Sequence, residues 1–176
     1  VERKARFNTP ELKVKTYTYN GSTVTGGTAV TDGAASAIEI TTVAQGTGVD
    51  DRIGDQIRIH KIEVRGIMDP NLDFYIFKCS TTSLPAIANF GTQMGAYVLA
   101  SEGNKFHEYI HYRNLYSFGS TNGMKITKKF SNGLLVKYNA GTSGSCVYNK
   151  LCYVVLNHSG AARNCNFSVR VWYTDA

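Results

Sequence analysis

Alternation of apolar and polar positions is the dominant signal in this chain. It is cleanest from Asn164 to Thr174, where Cys165, Phe167, Val169, Val171 and Tyr173 share one parity and Asn166, Ser168, Arg170, Trp172 and Thr174 the other. That period of two predicts a half-buried β-strand. Glu11 to Tyr19 alternates as strictly, with Leu12, Val14, Thr16 and Thr18 opposed to Lys13, Lys15, Tyr17 and Tyr19. Hydropathy alone turns Leu12 and Val14 toward a core and leaves Lys13, Lys15, Tyr17 and Tyr19 on the solvent face. Lys150 to Asn157 is apolar on both parities and reads as a strand covered on both faces.

The long β-branched run Gln56 to Met68 changes phase part-way. Ile57 and Ile59 share one parity and Ile62 and Val64 the other, so a bulge near His60-Lys61 is expected. Shorter strands are predicted over 36–43, through Ile38 and Ile40, and over 72–79 after an Asp69-Pro70-Asn71 turn. Two further pieces, 124–130 and 134–138, flank a Ser131-Asn132-Gly133 turn. Phe106 to Phe118 fits a helical turn or a strand, and its tyrosines favour strand. About eight strands without a long helix predict an all-β fold, a single antiparallel sandwich or jelly roll with long loops over 20–35, 45–55, 80–104 and 139–149.

Composition narrows the class. Hydrophobic residues are 43% and charged residues 18% of 176, which excludes a disordered chain or a coiled coil and suffices for one core. No apolar run approaches the roughly 18 residues of a membrane helix, so no membrane insertion is expected. Cys79, Cys146, Cys152 and Cys165 form no C-x-x-C pair, which argues against zinc; reduced thiols made in a reducing compartment are expected, with a Cys146–Cys152 clip as the alternative.

Charge is unevenly placed. Up to Glu108 there are eleven Lys/Arg against twelve Asp/Glu; between Glu108 and Asp175 there are eight Lys/Arg and no acid. An anionic partner would explain the asymmetry, as would an ordinary basic surface. No nucleophile elbow, zinc-protease pair or phosphate-binding glycine loop is present, so an enzyme is not expected, nor a cofactor. His107 and His111 could chelate a metal only from a helix. Asp50, Asp51 and Asp55 could hold a cation, but pairing with Arg52 or the backbone is the simpler role. Lys13, Lys15 and Tyr17 on the first strand, with Arg170 and Trp172 on the last, combine cations for phosphates with rings for bases. The competing reading of that combination is a subunit interface or plain surface.

One stretch carries a family resemblance. Ala44-Gln45-Gly46 through Arg52-Ile53-Gly54-Asp55-Gln56-Ile57, running into Ile59-His60-Lys61-Ile62-Glu63-Val64-Arg65-Gly66, resembles the capsid proteins of circular Rep-encoding single-stranded DNA viruses, the circovirus-like group. Lys150-Leu151-Cys152-Tyr153-Val154-Val155-Leu156 and Arg170-Val171-Trp172-Tyr173-Thr174-Asp175 look like their last two strands. The resemblance implies an eight-stranded jelly roll at 11–176, assembly with its own copies into a small icosahedral shell of sixty, packaging of a single-stranded DNA genome, and a life in the virion and, during assembly, the host nucleus. It also implies that residues 1–10 end a basic arm dense in Arg and Lys upstream. Arg3, Lys4, Arg6, Lys13 and Lys15 are then the expected phosphate contacts, with Arg170 in support, Trp172 or Tyr17 for stacking, and Lys125, Lys128 and Lys129 as a second group. Phe90, Met94 and Tyr97 are expected between subunits. The alternatives are a capsid of a small RNA or satellite virus and, from another class, a carbohydrate-binding or adhesin jelly roll.

Overall fold

The structure, a computed structural model, describes residues 11–19, 28–30, 34–80, 83–92, 98–113, 122–139, 146–158 and 160–176, with the backbone alone at 28–30, 34–36 and 122. Among these the chain forms ten strands: β1 (Lys13–Tyr19), β2 (Thr28–Val30), β3 (Ala34–Glu39), β4 (Gln56–Met68), β5 (Leu72–Cys79), β6 (Phe106–Arg113), β7 (Asn122–Tyr138), β8 (Cys146–Tyr148), β9 (Lys150–Asn157) and β10 (Arg163–Asp175). The expected arm at Arg3, Lys4 and Arg6 lies outside the described residues, as do Met94 and Tyr97.

Eight strands pair as a nested hairpin. β1 pairs with β10, β3 with β9, β4 with β7 and β5 with β6, all antiparallel. Lateral pairing of β10 with β4 and of β9 with β5 then closes two sheets, ordered β1-β10-β4-β7-β8 and β3-β9-β5-β6, with β2 added to one end of β10. A long hairpin rolled so that its pairs fall alternately into two facing sheets is the jelly roll.

The core between the sheets follows the alternation. Ile57, Ile59, Ile62, Val64, Phe167, Val169, Val171 and Tyr173 from one sheet meet Leu72, Phe74, Ile76, Leu151, Tyr153 and Val155 from the other. Aromatic rings interlock at its centre: Phe167 stands edge-on to Phe74 at 5.2 Å and to Tyr153 at 5.0 Å. The bulge falls where the phase change puts it, between Ile59 and Lys61, and β10 shifts register opposite it, between Trp172 and Tyr173. Gly66 is required by proximity: a Cβ there would strike the Asn166 carbonyl oxygen and the Phe167 Cα on the adjoining strand.

The four-stranded sheet has a second apolar layer on its outer face. Tyr75, Phe77, Cys79, Cys152, Val154 and Leu156 point away from the sandwich and are covered by Phe90 and Phe106, with Leu84, Ile87 and Val98 packed against them. The β5–β6 connection thus serves as a roof. Phe90 is only 4% exposed within its own chain, which corrects its expected place between subunits.

Several local readings change. β1 is inverted: Leu12 and Val14 are 58% and 37% exposed, while Lys13 and Tyr19 are buried. β3 ends at Glu39, and Ile40 and Val43 enter the core from the following loop. Phe106–Arg113 is a strand; 114–118 lies outside the described residues. Residues 131–133 do not split β7, which runs unbroken through them, and Gly133 takes the positive φ of 67° they need. The Asp69-Pro70-Asn71 turn is present, with Asn71 left-handed at φ 68°.

Candidate nucleic-acid interface

Opposed residues of an antiparallel pair point to the same face of the sheet. The register therefore builds the outer face of the six-stranded sheet in rows. Val14, Trp172, Lys61 and Lys129 form one; Thr16, Arg170, Glu63 and Thr127 the next; Thr18, Ser168, Arg65 and Lys125 a third. These three rows hold five cations and one carboxylate, and beyond the bulge Arg58 and Lys137 lie on the same face. Arg65, Lys125, Lys129 and Arg170 are exposed.

The centre of this face is organised. Glu63 accepts from Arg65 Nε at 2.6 Å and lies 3.6 Å from Lys61 Nζ. Its near burial favours the neutral acid, but the Arg65 and Lys61 charges outweigh that and hold its carboxyl below the ordinary value. Lys61 Nζ sits 3.5 Å above the Trp172 ring, a cation–π contact that keeps the indole flat against the sheet. No carboxylate pairs with Lys125, Lys129 or Arg170 among the described residues. These cations are available to an external anion, beside a ring that can stack.

Arg170 and Trp172 thus lie where the alternation of β10 puts them. Lys13, Lys15 and Tyr17 do not. Their face of β1 turns inward, and each has an internal partner. Lys13 Nζ bridges Asp175 at 2.8 Å and donates to the Asp51 carbonyl at 2.7 Å. Lys15 Nζ meets Asp50 at 2.6 Å, and the Tyr17 hydroxyl donates to the Thr42 carbonyl at 3.0 Å. The physical reason is that Tyr17 and Tyr19 offer more apolar area than Val14, Thr16 and Thr18, and lysine stems pack well when their ammonium groups find acids. Lys125 and Lys129 belong to the open face. Lys128, of opposite parity, opposes Ile62 and lies over Tyr109 at 5.6 Å.

Lys61 and Arg65 went unpredicted, although the bulge contained the signal. Once Ile62 and Val64 turn inward after the phase change, residues 61, 63 and 65 must turn outward.

The acidic loop is a clamp. Arg52 is fully buried; its Nε donates to the Val43 carbonyl at 3.1 Å, and Nη1 donates to the Gly54 carbonyl and reaches Asp55 at 3.4 Å. Its guanidinium lies 4.2 Å over the Tyr138 ring. Asp51 accepts from the Gly48 amide at 3.0 Å, so a Cβ on Gly46 or Gly48 would meet its carboxylate. The hydrogen bond from Lys15 holds the Asp50 carboxyl below its ordinary value. Each carboxylate expected for a cation is thus engaged by the protein, and the described residues hold no cluster of three metal-ligating side chains. His111 meets Asp73 at 3.1 Å and stacks on Tyr75 at 4.3 Å; His107 stands edge-on to Tyr109.

No protein-family model and no curated protein matches the chain.

Proposed function

We propose that this protein is a viral capsid subunit that assembles with its own copies into a small icosahedral shell and packages single-stranded DNA against the outer face of its six-stranded sheet. The observation that carries the reading is the pairing of a nested-hairpin jelly roll with one open, cationic sheet face. Double-sheet jelly rolls are used by capsids and by lectins. A face with Lys61, Arg65, Lys125, Lys129 and Arg170 around a single glutamate suits phosphates rather than neutral sugars. Trp172 supplies a stacking platform for an unpaired base. Contacts of this kind are independent of sequence, which fits a protein that encloses a whole genome. The loop-and-strand resemblance at 44–67 supports the same family.

The test is direct. Purified protein is examined by size-exclusion chromatography and negative-stain microscopy, and copurifying nucleic acid is typed by nuclease digestion. Closed shells holding DNase-sensitive, salt-releasable strands are expected. RNase-sensitive cargo would favour the RNA or satellite virus, and a monomer that retains no nucleic acid but binds a glycan would establish the carbohydrate-binding alternative.

A further inference from the structure

Four buried thiols are not equivalent. Cys165 sits in the sandwich core, where burial pushes its thiol up to about 12. Cys146 donates to the Tyr148 carbonyl at 3.3 Å. Cys79 on β5 and Cys152 on β9 are diagonal neighbours across one antiparallel pair, since Phe77 opposes Cys152 and Cys79 opposes Lys150. Their sulfurs lie 3.2 Å apart. A disulfide requires approach to about 2.05 Å, so the two side chains, with the backbone of the paired strands, must close on each other. The clip considered from spacing, Cys146–Cys152, is not the close pair.

Access is one-sided. A cleft of about 230 Å³ at the end of the sheet is lined by two thiols, Cys79 and Cys146, together with Lys78, Tyr148, Asn149 and Lys150, whereas Cys152 is not part of its lining. Of the close pair, Cys79 therefore faces a small reagent and Cys152 backs it; Cys146 faces the same cleft but is not the sulfur 3.2 Å from Cys79.

We propose that Cys79 and Cys152 form an attacking and resolving thiol pair that a low-molecular-weight disulfide entering this cleft oxidises to an internal Cys79–Cys152 disulfide. The Cys79 thiolate attacks one sulfur of the reagent, forming a mixed disulfide and expelling the first thiolate. Cys152, having lost its proton to solvent, attacks Cys79 Sγ and expels the second. Two protein thiols and one reagent disulfide become one protein disulfide and two reagent thiols. The local electrostatics match these roles. The hydrogen bond from Cys152 and then the Lys150 charge lower the Cys79 thiol, while the same contact and burial hold Cys152 up. The product would tie β5 to β9 in the roofed sheet, a covalent staple acquired when the folded protein leaves a reducing environment.

The experiment uses the folded full chain with excess bis(2-hydroxyethyl) disulfide, acid quenching, thiol counting after unfolding, and peptide mapping. Two of the four thiols should disappear, with loss of two hydrogens and a linked Cys79–Cys152 peptide. Tm should rise by about 5–10 °C and return with dithiothreitol. Cys152→Ser should stop at a mixed disulfide on Cys79, Cys79→Ser should form neither product, and Cys146→Ser should react like the parent. Retention of all four thiols by folded protein, a link involving Cys146, or loss of two thiols in Cys79→Ser would overturn the proposal. Where a serine variant fails to fold, the parent peptide map decides alone.

Discussion

The two sheets bury their inner faces against each other but treat their outer faces in opposite ways. The four-stranded sheet turns out a second apolar layer, and the β5–β6 connection folds back to cover it, with Phe90 seated 5.7 Å from Tyr75 and 5.8 Å from Phe77. In its three central rows the six-stranded sheet turns out threonines, five cations, one glutamate and a tryptophan, of which Arg65, Lys125, Lys129 and Arg170 stay exposed among the described residues. Apolar area expelled from water stabilises the first arrangement without a partner. Like charges crowded on the second are stabilised when an anion joins them. One face is covered by the chain itself, and the other leaves its cations exposed among the described residues.

Removing Phe90 tests the roof most severely. Phe90→Ala should cost about 3–4 kcal/mol, because a cavity opens over Tyr75 and Phe77 and the surrounding structure relaxes only partly into it. A lowered denaturant midpoint with new dye-accessible apolar surface is the expected reading; a loss below about 1 kcal/mol would mean that the roof is ornamental. Trp172→Ala, the aromatic removal on the open face, should cost only about 1 kcal/mol. Its larger effect should be on single-strand affinity, measured by fluorescence anisotropy with a DNA oligonucleotide.

Charge removal probes the open face with little cost in folding. The triple variant Arg65→Ala/Lys125→Ala/Lys129→Ala should keep its Tm within a few degrees but bind a DNA oligonucleotide about tenfold or more weakly at low salt. The slope of log affinity against log salt should flatten by about 2, since each lost phosphate contact removes roughly 0.7 on single strands. An unchanged slope would move the nucleic acid to another surface.

Glu63 gives a finer, pH-dependent test. Its folded value lies below the ordinary 4.5, so the stability it contributes is fully present above 4.5 and is lost as pH falls through the lowered value. The Tm difference between parent and Glu63→Gln should therefore be constant above about pH 5 and vanish in stronger acid. At neutral pH the same variant should bind DNA more tightly. The smallest difference separates neighbours on β7: Lys129→Ala should weaken binding about two- to threefold, whereas Lys128→Ala, across the sheet beside Tyr109, should leave the salt slope unchanged.

Where sequence reading succeeded, one physical force decided the outcome. In β9 and β10 the burial of Val, Leu and Phe outweighs everything else: β9 is covered on both faces, as its two apolar parities require, and β10 lies as its alternation dictates. The bulge of β4 is visible because Ile57 and Ile59 could not share a face with Ile62 and Val64 without it. β1 was misread because its two faces compete by different means. Leu12 and Val14 are the more hydrophobic by type, but Lys13 and Lys15 reach carboxylates more than 30 residues away, and Tyr19 stacks on Phe167 at 5.2 Å. No local pattern contains Asp175 or Asp50. The interface suffered accordingly: Arg170 and Trp172 were legible from their own strand, while Lys13, Lys15 and Tyr17 were assigned to the wrong side. The sulfur pair was hidden for a similar reason, since the spacing between positions 79 and 152 says nothing about β5 and β9 being neighbours.

The pairing of β1 with β10 has a consequence for how the chain folds. β10 lies between β1 and β4, and its last residues supply the acid that neutralises Lys13. Among the described residues β1 has β10 as its neighbour in the sheet, although every other strand lies between them in the chain. The four-stranded sheet has all its strands by Asn157; the six-stranded one also needs β10, one of its interior strands, which follows at Arg163–Asp175. Folding of that sheet therefore has long-range closure as its slow step. A product truncated before β10 would leave the inner face of β4 uncovered on one flank and β1 without a partner, which makes such fragments targets for aggregation or proteolysis rather than competitors for the finished protein.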